Sequence, residues 1–235
     1  MTEPAVSLAF FDGERGVHGS LRSGVAVLFE GDHGRTLDEP PEVTRSDGSW
    51  SAASGDELSL EFEASAPGVD LGGTTAHVCR VRGRAGGAEV DCLGTAGETT
   101  TAPEWAQLDA LRTVSALFDE GQAVLAAARR PRGALGHGQE LITAHLVGAG
   151  EPVAVEEARL STVYDGDGRQ RSAGLELWLP AEDFPRRAVG TVQAGLSLSL
   201  EGLRVHVAVF AWRMEGRDGL GAYDVTVRDE PAAAA

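Results

Sequence analysis

Apolar and polar residues alternate with a period of two along most of this chain. Leu58, Leu60 and Phe62 alternate with Ser59, Glu61 and Glu63. Further on, Val205, Val207, Val209 and Ala211 alternate with Arg204, His206, Ala208, Phe210 and Trp212. A two-residue period is that of a β-strand, with successive side chains on opposite faces. Short Gly/Asp turns join the runs, which suits antiparallel meanders rather than crossover helices. Meanders of this kind close into barrels or sandwiches, folds that often hold a small molecule.

The pattern predicts strands at Val6–Phe11, Val25–Glu30, a short one from Trp50, and Leu58–Ala64. A hairpin carrying Cys79 and Cys92 follows. Residues 12–16 read as a turn, and Leu37–Ser46, with Pro40-Pro41, as a loop. The polar segment Thr95–Pro103 interrupts the alternation and is the expected boundary between two β-domains, residues 1–100 and 101–235. After Ala102-Pro103-Glu104, the helical spacing of Trp105, Leu108, Leu111 and Val114 predicts at most a short helix, running into a strand before Phe118. Asp119–Gln122 reads as a hairpin turn. The second half then offers strands at Ala123–Arg129, Glu140–Val147, Val153–Tyr164, Gln170–Leu179, Ala188–Leu198, Leu203–Met214 and Leu220–Arg228. Pro180–Arg187 is a connector.

Charge narrows the partners. The formal net charge of −16 argues against a nucleic-acid backbone and an anionic membrane surface. All 20 basic residues are arginine. Without lysine there is no Schiff-base or pyridoxal-phosphate chemistry and no P-loop. No apolar run approaches the length of a spanning helix and no signal-peptide pattern opens the chain, so a cytoplasmic location without membrane insertion is expected. No cofactor fingerprint is present, and no cofactor is expected.

A hairpin centred between Ala85 and Gly86 sets Cys79 opposite Cys92 and Val81 opposite Val90. On the other face it sets Arg80 against Asp91 and Arg82 against Glu89. In a reducing compartment the two cysteines are expected to be structural thiols. Asp165-Gly166-Asp167-Gly168 with Glu176 imitates a calcium loop, but Arg169 and Gln170 stand where a ligand and a glycine are required, and a hairpin turn explains the residues. Gly136-His137-Gly138 reads as a loop, since no strand–GxGxxG–helix unit contains it.

Strand faces of mixed character carry the candidate chemistry. Ala173, Leu175, Leu177 and Leu179 share one face of their strand, with Ser172, Gly174, Glu176 and Trp178 on the other. His206, Phe210 and Trp212 oppose a face of valines, and His145 lies beside Leu141, Thr143 and Val147. If these faces point into a cavity, Glu176 and His206 stand among tryptophans as proton donors. If they point outward, both are simply solvated.

Phe10-Phe11-Asp12-Gly13-Glu14-Arg15-Gly16-Val17-His18-Gly19 resembles the opening of bacterial proteins related to carotenoid 1,2-hydratase (hydroxyneurosporene synthase). Ala211-Trp212-Arg213-Met214-Glu215-Gly216-Arg217-Asp218-Gly219-Leu220-Gly221 resembles their C-terminal signature of an aromatic strand, an acidic-Gly-Arg turn and a glycine. The resemblance implies an all-β chain of two packed lipocalin-like antiparallel β-barrel or sandwich domains. It further implies an apolar substrate, since relatives hydrate or cyclise polyenes and fungal cousins catalyse intramolecular Diels–Alder reactions. Where the family carries a His-x-Trp motif, this chain has Glu98-Thr99-Thr100, with Trp105 downstream.

The expected function is a cofactor-independent cyclase or isomerase, a [4+2] pericyclase included, acting on an apolar polyene, polyketide or terpenoid. Glu176, His206 and Glu98 are the candidate catalytic groups. Trp105, Trp178, Phe210, Trp212, Tyr223 and His145 are the candidate pocket residues. The alternatives are a carotenoid or terpenoid hydratase, a carrier of an apolar ligand, and a barrel filled by its own side chains.

Overall fold

In the computed structural model, which describes residues 4–22, 24–119, 122–135, 137–148 and 150–229, nearly every element is a strand. The first group is β1 (Ala5–Asp12), β2 (Val17–Arg22), β3 (Val25–Glu30), β4 (His33–Thr36) and β5 (Glu42–Ser46). Next come β6 (Ser49–Ser54), β7 (Leu58–Ala64), β8 (Val69–Asp70), β9 (Thr74–Ala85) and β10 (Ala88–Thr99). The second group opens with β11 (Leu108–Asp119), β12 (Gln122–Pro131), β13 (Leu141–Gly148), β14 (Val153–Ala154) and β15 (Glu157–Tyr164). It closes with β16 (Gln170–Trp178), β17 (Arg186–Leu200), β18 (Leu203–Met214) and β19 (Arg217–Arg228). One 3-10 turn, His137–Gln139, precedes β13.

The strands form two curled antiparallel sheets, each a half-barrel. The first runs β4-β3-β2-β1-β10-β9-β7-β6-β5, with β8 also on β9, and the second β14-β13-β12-β11-β19-β18-β17-β16-β15. Three apolar layers result. Leu8, Phe10, Leu28, Trp50, Leu60 and Phe62 fill the first half-barrel. Val114, Leu175, Leu177, Phe210, Trp212 and Tyr223 fill the second. Between the sheets, Phe11, Val27, Phe29 and Val78 meet Leu125, Ala127, Val205, Val207 and Val209. Central strands are therefore buried on both faces, and each fully buried large side chain contributes about 1.5–3 kcal/mol.

Polar bonds also cross the seam. Arg129 donates to the carbonyls of Leu71, at 2.8 Å, and of Gly72. Arg22, at the end of β2, pairs with the buried Asp224 of β19.

Some expected elements differ. Val17–Arg22 is a strand, and Glu42–Ser46 becomes β5, because both pair with neighbours that a local reading does not supply. Val153–Tyr164 divides into β14 and β15. Around Trp105 the chain makes turns closed by Trp105 N to Pro103 O and Gln107 N to Glu104 O, and the apolar residues from Leu108 onward belong to β11. Glu120 and Gly121 lie outside the described residues, though Asp119 pairs with Gln122 across them. Gly136 is likewise outside.

The cysteine hairpin turns on Gly86-Gly87, whose φ values are 58° and 80°. Two successive left-handed residues are what a tight two-residue hairpin turn requires. The register therefore sets Cys79 against Gly94 and Cys92 against Val81, not cysteine against cysteine. Arg82 lies opposite Asp91, and Arg80 reaches the same carboxylate along the diagonal. The β18–β19 hairpin turns in the same way on Glu215 and Gly216, with φ of 51° and 81°.

Candidate functional site

The second half-barrel has an apolar end and a polar end. At the apolar end Leu175, Leu177, Trp212 and Met214 pack together. The polar end is built where β19 departs from regular pairing. Between His206–Val225 and Val209–Ala222 the β18–β19 ladder is interrupted, and so is β11–β19 between Val114–Tyr223 and Leu117–Leu220. Side chains satisfy the freed backbone groups, as burial requires. Gln170 Nε2 donates to the carbonyls of His206 (3.1 Å) and Tyr223 (2.7 Å). Asp224 Oδ1 accepts from Ala208 N (3.3 Å), and Ser115 Oγ accepts from Ala222 N (2.9 Å).

Deeper at this end, the buried Arg112 donates to Thr162 Oγ1 (2.9 Å), Tyr223 Oη (3.1 Å) and Leu160 O (3.3 Å), and it pairs with Glu140. Burial first, against the opposing field of Arg112, pushes the Tyr223 hydroxyl above its ordinary range and keeps it neutral.

Beside this network lies a cleft of about 450 Å3. It forms where β17 leaves β16: pairing with β16 ends at Thr191, and β17 bulges between Val192 and Ala194. Gln170, Gln193, Gly195 and His206 line it, with Asp165 and Arg169 from the β15–β16 turn and Asp32 from the first sheet's β3–β4 turn. His206 Nδ1 is 2.7 Å from Ser197 Oγ, its cross-strand neighbour. Burial, together with Arg204 and Arg169, lowers the His206 pKa, and Asp165 opposes this. The ring is therefore neutral near pH 7. With Nδ1 held by Ser197, Nε2 is the nitrogen left to exchange a proton with a bound molecule.

The expected site residues scatter from this point. Glu176 and Trp178 sit on the outer face of β16, because the aliphatic Leu175 and Leu177 take the inner one. Glu176 pairs with Arg187 at 3.0 Å, and the Arg159 guanidinium lies 4.8 Å from the Trp178 ring centroid. Phe210, Trp212 and Tyr223 do gather: ring centroids lie 5.4 Å apart for Phe210–Trp212 and 5.3 Å for Phe210–Tyr223. All three are at most 1% exposed, so they fill the half-barrel and do not line the cleft. Trp105 is half-buried in the connector between the sheets. His145 faces the seam, where burial lowers its pKa and Asp70 raises it.

Glu98 is buried in the first half-barrel. Its Oε1 accepts from Trp50 Nε1 (2.9 Å) and forms an ion pair with Arg45 Nε at 2.6 Å. His77 stacks near Trp50 with centroids 5.1 Å apart, and burial lowers its pKa against the pull of Glu98. Glu98 is thus an anchored acceptor in the half-barrel that does not contain His206.

The sequence does not single out Ser197 or Arg112, and Gln170 enters there as a misfit in the calcium-loop pattern. Ser197 was within reach of the sequence: the Glu201-Gly202 turn sets 197 opposite 206 by counting. Among the described residues no group of three His, Cys, Asp or Glu could hold a metal ion. Burial pushes both cysteine thiols up to about 12, which leaves them poor nucleophiles. No described helix is long and apolar enough to cross a membrane.

Two curled antiparallel sheets with one strand order and a packed core between them define a two-part lipocalin-like fold. No protein-family model matches the chain, and no curated protein matches it in sequence. Among solved structures, it is similar to an AttH-type protein from Nitrosomonas europaea, with a TM-score of 0.65 at 13% identity, over 95% of this chain and 92% of that one. It is also similar to kievitone hydratase from Nectria haematococca, with a TM-score of 0.59 at 9% identity, over 96% and 88%. The resemblance to lipocalin-like hydratases seen in the sequence therefore holds for the fold.

Proposed function

We propose that this chain is an enzyme that transfers a proton to or from a small molecule bound in the His206 cleft. His206 serves as the acid–base and Ser197 fixes its tautomer. The observation that carries this reading is the Ser197–His206 pair on the wall of a cleft of about 450 Å3. A neutral imidazole held at one nitrogen can take a proton at the other and return it, which suffices to isomerise, cyclise or hydrate a polarised alkene. Hydration is the chemistry in the name of kievitone hydratase, whose fold this chain shares.

Within that class, the polar lining favours isomerisation or hydration of a polyene, polyketide or terpenoid bearing a polar group. A purely pericyclic role gains less support, because Phe210, Trp212 and Tyr223 are packed away from the cleft. The filled interiors of both half-barrels likewise favour chemistry at this rim over carriage of an apolar ligand inside.

The test is incubation with a panel of polyenes, terpenoids and alkenyl phenols in D2O and in 18O-labelled water. Mass spectrometry then reads deuterium or oxygen uptake into products. His206→Gln is expected to lower turnover by about 10²–10⁴-fold, and Ser197→Ala to displace the pH profile. Full turnover in both variants refutes the assignment.

A further inference from the structure

A second cleft of about 450 Å3 opens at the same end of the second half-barrel, where β11 and β18 begin and β12 and β19 end. Asp109, Arg132, Arg204, Val227, Arg228 and Asp229 line it. Three arginines thus converge on one concavity of a molecule whose net charge is −16.

The two acids of this cleft are already engaged. Asp229 Oδ1 accepts from Arg204 Nη2 at 2.7 Å. Asp109 Oδ2 accepts from the backbone N–H of Gly133 at 3.0 Å. That bond, together with Arg132 N donating to Gln107 O at 2.8 Å, fixes the backbone that presents Arg132. Arg132 and Arg228 have no carboxylate partner among the described residues. Elsewhere the arginines are mostly spoken for: Arg22, Arg35, Arg80, Arg112, Arg186 and Arg217 all form ion pairs.

The geometry points to an anion site in which Arg132 and Arg228, backed by Arg204, bind the carboxylate or phosphate group of a small molecule. A guanidinium offers a planar fork of donors that matches either oxyanion in a bidentate manner. The concave wall gives such a group more than one fork at once. The net charge of −16 repels anions from the molecule as a whole, so an anion held here depends on these guanidinium forks. It is separate from the His206 cleft and stands whether or not His206 is catalytic.

The experiment is an amide NMR titration of the full chain with inorganic phosphate and, separately, with glutarate, against sodium chloride at matched ionic strength. Saturable shifts at Asp109, Arg132, Arg204, Val227 and Arg228 are expected, and the tighter probe identifies which oxyanion the site prefers. Arg132→Gln with Arg228→Gln is expected to weaken binding by about tenfold or more. Arg187→Gln with Arg213→Gln, on outer strand faces, is expected to leave it unchanged. All four substituted positions are exposed, and the same spectra report the fold. Shifts that merely follow chloride for both probes, or binding indifferent to the Arg132/Arg228 double change, overturn the proposal.

Discussion

The Arg22–Asp224 pair between the sheets separates the cost of burying a charge from the benefit of pairing it. Asp224 is 6% exposed, and its pKa is raised: burial outweighs the attraction of Arg22 and the hydrogen bond from Ala208 N. Three variants divide these effects. Asp224→Asn keeps a carbonyl oxygen for Ala208 N–H and removes the buried charge, so its cost at pH 7 should lie within about 1 kcal/mol of zero, with stabilisation allowed. Asp224→Ala also strands the Ala208 N–H and should cost about 1–3 kcal/mol. Arg22→Met leaves the carboxylate uncompensated and should cost about 3–5 kcal/mol at pH 7.

The pH dependence carries a definite sign. A carboxyl whose folded pKa is raised contributes stability that is fully present below its unfolded value near 3.8 and is lost as pH rises through the folded pKa. The deficit of Arg22→Met relative to wild type should therefore shrink as pH falls towards 4, and with Asp224→Asn in the background it should become independent of pH. Urea unfolding of wild type, the three variants and the double variant, followed by tryptophan fluorescence between pH 4 and 8, measures every term. If Asp224→Asn costs as much as Arg22→Met at pH 7, pairing dominates burial and the reasoning is wrong.

Gln170→Leu removes the donor shared by the carbonyls of His206 and Tyr223 and should cost about 1–3 kcal/mol in the same unfolding assay; an unchanged midpoint would show that the interrupted ladder does not need it. Residues 1–100 and 101–235, our proposed division of the chain, share the core at the seam. Expressed alone, each half should expose Phe11, Val27 and Phe29, or Leu125, Val205 and Val207, and aggregate, while co-expression should recover a soluble pair. A monodisperse, folded single half on size exclusion would count against a shared core.

Alternation was legible wherever one strand face is aliphatic, as at Leu58–Phe62 or Val205–Val209. What alternation does not state is which buried surface a face meets. The valines of β18 mark the seam, and the opposite, mixed face looks into the half-barrel. On β16 the same kind of mixed face looks outward, because there is no second sheet against that side. For that reason Glu176 and Trp178 lie outside the half-barrel, whereas His206 lies on a face turned into it. Nothing in the local sequence marks Arg112, Arg22 or Asp224 as buried. Their partners lie far away in sequence, and only the closed topology brings them together. Cys79 and Cys92 show how little a register error needs: moving the turn from Ala85-Gly86 to Gly86-Gly87 shifts the facing residue by two.

The two sheets follow one path, with β9–β10 in the place of β18–β19 and the same left-handed two-residue turn at the tip of each hairpin. His77 stands nine positions before Gly86, and His206 stands nine before Glu215. The two histidines therefore occupy equivalent sites, each facing its own half-barrel. One strand order used twice, with a histidine at the same distance from the same turn, gives the chain an internal two-fold plan. The two halves differ in what they set beside that imidazole: Trp50 in the first, the Ser197 hydroxyl in the second.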